Sequence, residues 1–174
     1  MTPGALTVTR IDLTTVAGEK VATTYATGIS RGVDVNGDDQ VIEAVPDWPD
    51  DALSGGWTEM AIPIAREMPH VYTECADNWN PIHTERKVAL AAGLPDIILH
   101  GTATWGLAVR EIVSKRLGSD PARLARFSGR FTGMVIPGND IIVRHAATMN
   151  GAVYEVIAAD GSKAISAGRA LFRD

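Results

Sequence analysis

The stretch TATWGLAVREIVSKRL, Thr102 to Leu117, decides the fold of this chain. Ala103, Leu107, Val109, Ile112 and Val113 recur in it at roughly helical spacing, so it reads as one long, buried central helix. Four strand candidates follow: Phe127 to Met134, Asp140 to Thr148, Ala152 to Ala158 and Lys163 to Phe172. Asn150-Gly151 and Asp160-Gly161 separate the last three, and both pairs suit a type I′ turn, whose two central residues need positive φ. The order predicts an α+β architecture in which an antiparallel meander wraps one long helix.

Upstream of that helix the chain reads as two short helices and a loop. Pro69 suits the first turn of a helix running through Val71, Tyr72 and Cys75. Thr84 is the expected N-cap of a second helix, Glu85 to Ala92, which Gly93 and Pro95 end. Between them lies Asn78-Trp79-Asn80-Pro81-Ile82-His83, and Ile98-Leu99-His100-Gly101 leads into the long helix. Farther upstream, Leu6 to Val16 and Lys20 to Ser30 read as a hairpin around Ala17-Gly18, with Asn36-Gly37 at its far end. Asp38 to Gly56 is acidic and contains Pro46 and Pro49, which suits a linker. The expected division is an N-terminal hairpin extension over 1–37, a linker over 38–56 and the main domain over 57–174.

Composition narrows the function. The chain has 174 residues, 45% of them hydrophobic, which is enough for one full core and a smaller appendage. A net charge of -5 with no Lys or Arg cluster argues against a nucleic-acid partner. No apolar run approaches the roughly 20 residues of a membrane span, so no membrane partner is expected. Cys75 is the single cysteine, and the first residues carry no secretory pattern; the expected location is the cytoplasm. No set of His, Cys, Asp or Glu has metal-ligand spacing, and no phosphate-binding glycine loop occurs, so neither a metal nor a cofactor is expected.

The two motif halves resemble D-x-N-P-[LIV]-H and [IV]-[LV]-H-G of the MaoC-type (R)-specific enoyl-CoA hydratases. Ala89, Ala91, Gly93 and Pro95 lie between them at family-like spacing, and Phe131 to Gly138 is similar to the family's strand ending in a Pro-Gly turn. The resemblance covers about residues 57–174 and implies a hot-dog fold. It also implies reversible addition of water to a 2-enoyl thioester, carried on CoA or on an acyl carrier. Family members pair hot-dog units, so a homodimer or a heteromer with another hot-dog unit is implied. Some carry an N-terminal repeat without the motif, and residues 6–35 are either the last strands of such a repeat or an ordinary extension.

In this family the Asp and His of the motif form the catalytic pair. Here the position five before His83 is Asn78, and the nearest carboxylate is Asp77. The resemblance makes His83 the acid and base. A neutral amide orients water but is not a usable base, which leaves three readings. In one, His83 acts alone while Asn78 holds water or substrate. In another, a one-residue bulge brings Asp77 to the water. In the third, hydration is lost or altered and the chain binds an acyl thioester or supports a catalytic partner. Gly101, just before the long helix, suits an oxyanion donor through its backbone N–H, and its missing side chain would let a thioester approach. Asn80 and Pro81 shape the turn, and His100 holds the loop by a hydrogen bond. His70 and His145 have no motif context and read as surface or strand-edge residues. Trp79 and Trp105 are either core or acyl-pocket walls. Arg123, Arg126 and Arg130 are either solvated charges or partners for CoA phosphates.

Overall fold

The computed structural model describes residues 4–173, so the first three residues of the 1–37 extension and the last of the 57–174 domain lie outside it. The chain forms two compact units, Met1–Pro49 and Asp50–Asp174. In the first, β1 (Gly4–Thr14) and β2 (Lys20–Arg31) pair antiparallel as a two-stranded hairpin. Its apolar side chains, among them Leu6, Val21 and Ile29, are exposed.

The second unit holds the α+β core. Its strands are β3 (Leu53–Pro63), β4 (Leu124–Phe131), β5 (Asp140–Thr148), β6 (Gly151–Ile157) and β7 (Lys163–Phe172). They form one antiparallel sheet in the order β3-β5-β6-β7-β4. The helices are α1 (Met68–Ala76), α2 (Arg86–Ala91) and α3 (Gly101–Arg116), and α3 packs on β4, β5 and β6. Ile141, Val143, Tyr154, Val156 and Ile165 from the sheet close over Ala103, Ala108 and Ile112 from α3.

The face that α3 buries is turned from the one its large residues suggest. Ala103, Thr104, Ala108, Glu111 and Ile112 are buried, while Leu107, Val109 and Val113 are only half-buried. Small side chains at 103 and 108 let the helix backbone approach the sheet closely, and close packing favours that approach over burying larger residues.

Strand β3 is absent from the sequence reading, although Met60 and Ile62 alternate inward with exposed Glu59 and Ala61 as a half-buried strand should. It starts at Leu53, so residues 53–56 of the expected linker belong to the sheet, with an irregular register between Leu53 and Trp57. Asp51 ties this start down by accepting from the Thr148 hydroxyl (2.5 Å) and the Asn150 backbone N–H (3.2 Å). Strand β4 lies three residues earlier than expected. Thr132 and Gly133 leave the ladder, and both their N–H groups donate to the Ala164 carbonyl.

Neither expected type I′ turn forms. At Asp160-Gly161 only the glycine has positive φ (82°). Gly161 N–H donates to the Ala158 carbonyl and Ala158 N–H to the Ser162 carbonyl, which is a type I turn closed by a glycine bulge. The β1–β2 hairpin repeats that bonding at Thr15, Gly18 and Glu19. Gly151 does not have positive φ. It is already in β6, where an added Cβ would lie 1.9 Å from the Ala170 carbonyl oxygen, so glycine there serves strand approach rather than a turn. Thr84 does not cap α2; Glu85 occupies that position, and Thr84 N–H instead closes the turn on Pro81.

His145 is a buried residue of β5, only 1% exposed, and not a surface or edge residue. Arg116 Nε donates to its Nδ1 at 2.9 Å, which places the ring proton on Nε2, 3.9 Å from the Glu111 carboxylate. Burial, with Arg116 and then Lys115 adding repulsion, pushes its pKa down from 6.5 to about 4. A histidine depressed in the folded state destabilises the fold as pH falls, because the unfolded chain takes the proton first. Stability should therefore be intact above pH 6.5 and fall between 6.5 and about 4. The expected loss is about 3 kcal/mol. Urea unfolding midpoints across that range should show the fall, and His145→Gln should flatten it.

Candidate active site

Helix α1 ends on Asp77, whose φ of 49° and ψ of 40° are left-handed and whose N–H returns to the Thr73 carbonyl. That reversal sends Asp77 and Asn78 in different directions. The Asp77 carboxylate accepts from the Trp79 indole N–H at 3.1 Å and does not line the cavity beside His83, whereas Asn78 does. The bulge that would carry Asp77 to a shared water is not the geometry of this loop.

Asn80 is extended (φ -145°, ψ 120°), and its side-chain carbonyl accepts from Ile82 N–H at 3.3 Å. Pro81 follows as the first residue of the single 3₁₀ turn Pro81–His83. Together they aim His83 by fixing the turn, the arrangement an Asn before a φ-restricted Pro favours. His83 Nδ1–H donates to the Ile98 carbonyl at 2.7 Å. The neutral ring therefore carries its proton on Nδ1, which leaves the Nε2 lone pair for the cavity.

His100 stacks on His83, with ring centroids 3.6 Å apart and planes 23° apart. Its Nε2–H donates to the Asn78 carbonyl at 3.1 Å, with the Thr73 oxygen at 3.3 Å. One buried imidazole thus ties the end of α1, the Asn78 loop and the His83 ring together. Burial lowers the His100 pKa; the bond to Asn78 opposes that shift and His83 adds to it. His100 is consequently a neutral fastener, and its Nδ1 is buried without a partner among the described residues.

A cavity of about 370 Å³ opens above these groups. Asn78, His83 and the first residues of α3 form its polar side, and Leu99, Phe131, Met134 and Ile165 its apolar side. The leading N–H groups of any α-helix lack intrahelical acceptors and carry the positive end of its dipole, so Gly101 and Thr102 present donors at the wall. A Cβ on Gly101 would sit 3.1 Å from the Phe131 ring. The missing side chain thus makes room for Phe131 on the same wall.

The sequence reading does not place Thr73, Thr104, Phe131 or Met134 at the site, since only the folded sheet brings them to the motif. Trp79 is 63% exposed and Trp105 donates to the Tyr154 hydroxyl at 2.8 Å; neither lines the cavity. His70 is exposed, with Nε2 3.2 Å from the Thr84 carbonyl. None of Arg123, Arg126 and Arg130 lines this cavity. Among the described residues no cluster of three or more His, Cys, Asp or Glu is placed to hold a metal ion, and no helix is long and apolar enough to cross a membrane.

Residues 57–167 match the family profile described as MaoC like domain, and the chain belongs to that family. It is 38% identical over 85 residues to the enoyl-CoA hydratase ChsH3 of Mycobacterium tuberculosis, a match covering 49% of this chain and 29% of that one. It is 31% identical over 153 residues to the 3-hydroxyacyl-thioester dehydratase Y of the same organism, covering 85% and 51%. The chain thus spans about half or less of these relatives. The fold matches the crystal structure of a MaoC-like dehydratase from Phytophthora capsici with a TM-score of 0.82 and 21% identity, over 98% of this chain and 57% of that one. The five-stranded sheet packed on α3 is the hot-dog fold that the sequence motifs imply.

Proposed function

We propose that this chain catalyses the reversible hydration of a 2-enoyl thioester to a 3-hydroxyacyl thioester. The observation that carries the reading is the His83 tautomer: Nδ1 is committed to the Ile98 carbonyl, so Nε2 is a lone-pair base at the cavity wall. Relatives named as enoyl-CoA hydratase and 3-hydroxyacyl-thioester dehydratase support the substrate class.

Asn78 holds a water against Nε2. As the water oxygen bonds to the β-carbon, its proton passes to Nε2 and the C=C pair moves onto the thioester oxygen as an enolate. The N-terminal donors of α3, Gly101 foremost, stabilise that charge because they are already oriented before it forms. The imidazolium then returns its proton to the α-carbon, and His83 is neutral again. One imidazole serves as base and acid, and atoms and charge balance. The apolar wall of Leu99, Phe131 and Ile165 takes the acyl chain, which CoA or an acyl carrier presents alike.

We place the working protein in the cytoplasm as a pair of hot-dog units, either two copies or this chain with another. The sheet edges β3 and β4 support pairing, since each leaves one side of its backbone ladder open. The hairpin β1–β2 is read as the last strands of a second hot-dog unit. Its exposed apolar residues support this, because a lone two-stranded hairpin is marginal in water.

Incubation with crotonyl-CoA and with a longer enoyl-CoA, followed by loss of the conjugated thioester absorbance, tests the activity. Turnover of either is expected; none with either, in folded protein, favours a binding or supporting subunit. The Asn at 78 is the observation behind that second reading. Asp77→Ala should leave the rate within about twofold, because its carboxylate serves Trp79. Asn78→Asp should raise the rate by roughly 10²-fold, the low end of what a positioned general base contributes.

A further inference from the structure

A second cavity, about 470 Å³, lies at the far end of α3 from Gly101 and is lined by Arg116, Arg123 and Arg173. The helix is 16 residues long, so its ends stand roughly 23 Å apart. Among the described residues no carboxylate lines this cavity, and none of the three guanidinium groups has an ion-pair partner. In a chain of net charge -5 with 21 acidic residues, three arginines on the lining of one concavity are a strong local exception.

The scaffold around them is fixed. Arg116 is half-buried and oriented by Nε on His145 Nδ1 (2.9 Å) and by Nη2 on the His145 carbonyl (3.4 Å) and the Thr58 hydroxyl (3.5 Å), which leaves Nη1 unbound. Arg173 N–H donates to the Arg123 carbonyl at 2.8 Å, which joins the other two positions through the backbone. Thr148 and Asn150, also on the lining, are held by the Asp51 carboxylate, which accepts from both. A planar guanidinium matches a phosphate oxygen pair in geometry, so arginines gathered on one cavity suit an oxyanion.

We propose that this cavity is a binding site for a multiply charged oxyanion of the phosphate or pyrophosphate class, separate from the His83 cavity. The full chain is titrated with inorganic pyrophosphate and, in parallel, inorganic phosphate at an ionic strength held constant with chloride. Heat release and the side-chain resonances of His145 are followed, because His145 is bonded to Arg116 and reports its position. Saturable binding is expected, tighter for pyrophosphate, with a shift of the His145 signals. The Arg123→Ala/Arg173→Ala double variant, shown to be folded by an unchanged unfolding midpoint, should bind roughly tenfold or more weakly. No saturable binding at constant ionic strength, or equal binding by the double variant, overturns the site. Displacement of pyrophosphate by a phosphate-free enoyl thioester, S-crotonyl-N-acetylcysteamine, overturns its separateness from the thioester cavity.

Discussion

His83→Ala lowers the rate of enoyl-CoA hydration by roughly 10³-fold, within the range removed with a positioned acid or base. The loss is this large because no second group stands ready. Asp77 is bonded to Trp79, His100 has its Nε2–H on the Asn78 carbonyl and its Nδ1 buried, and Asn78 is not a base. The effect should fall on kcat, with KM little changed, because the ring meets the water and not the body of the substrate. The fold should survive, since His83 is only half-buried and its ring makes one hydrogen bond, to a loop carbonyl. Steady-state kinetics beside an unfolding curve separate the two effects. A residual rate above about a tenth of wild type would place the base elsewhere.

Gly168→Ala gives a large loss of stability. A Cβ there would sit 2.5 Å from Cδ1, Cε1 and the backbone oxygen of Tyr154. Tyr154 has nowhere to go: it is 1% exposed, stacks on Phe127 at 4.6 Å, donates to the Ser128 carbonyl and accepts from Trp105, both at 2.8 Å. On its other side a Cβ at Gly129 would meet the hydroxyl at 2.5 Å. Overpacking a core usually costs 1–3 kcal/mol, and with a backbone atom in the way the cost should reach about 3 kcal/mol or more. That corresponds to a fall of roughly 10 °C in Tm. Gly106→Ala should act in the opposite direction, since that helical glycine has no atom within 4 Å of an added Cβ and alanine favours a helix by roughly 0.5–1 kcal/mol. Thermal unfolding of both variants checks the pair of signs.

The sequence displays the elements whose signal is local. α3 and the strands β5 to β7 carry their own periodicity, and the Asn-Pro turn announces where His83 points. What it hides depends on partners distant in the chain. The inward face of α3 is chosen by the sheet, which takes Ala108 in preference to Val109. His145 reads like a strand-edge polar residue until Glu111 and Arg116 from α3 are found beside it. The choice between Asp77 and Asn78 is made by one left-handed residue at the end of α1, a conformation that no spacing rule encodes. Thr73, Phe131 and Met134 reach the site only through tertiary folding.

The mechanism turns on the protonation of one ring. Nitrogen NMR of the imidazole side chains near pH 7.5 reads it directly. The structure predicts that neutral His83 carries its proton on Nδ1, bonded to the Ile98 carbonyl, with a bare Nε2 whose resonance moves when an enoyl thioester binds. A His83 protonated on Nε2, or an Nε2 signal indifferent to the thioester, would contradict the mechanism.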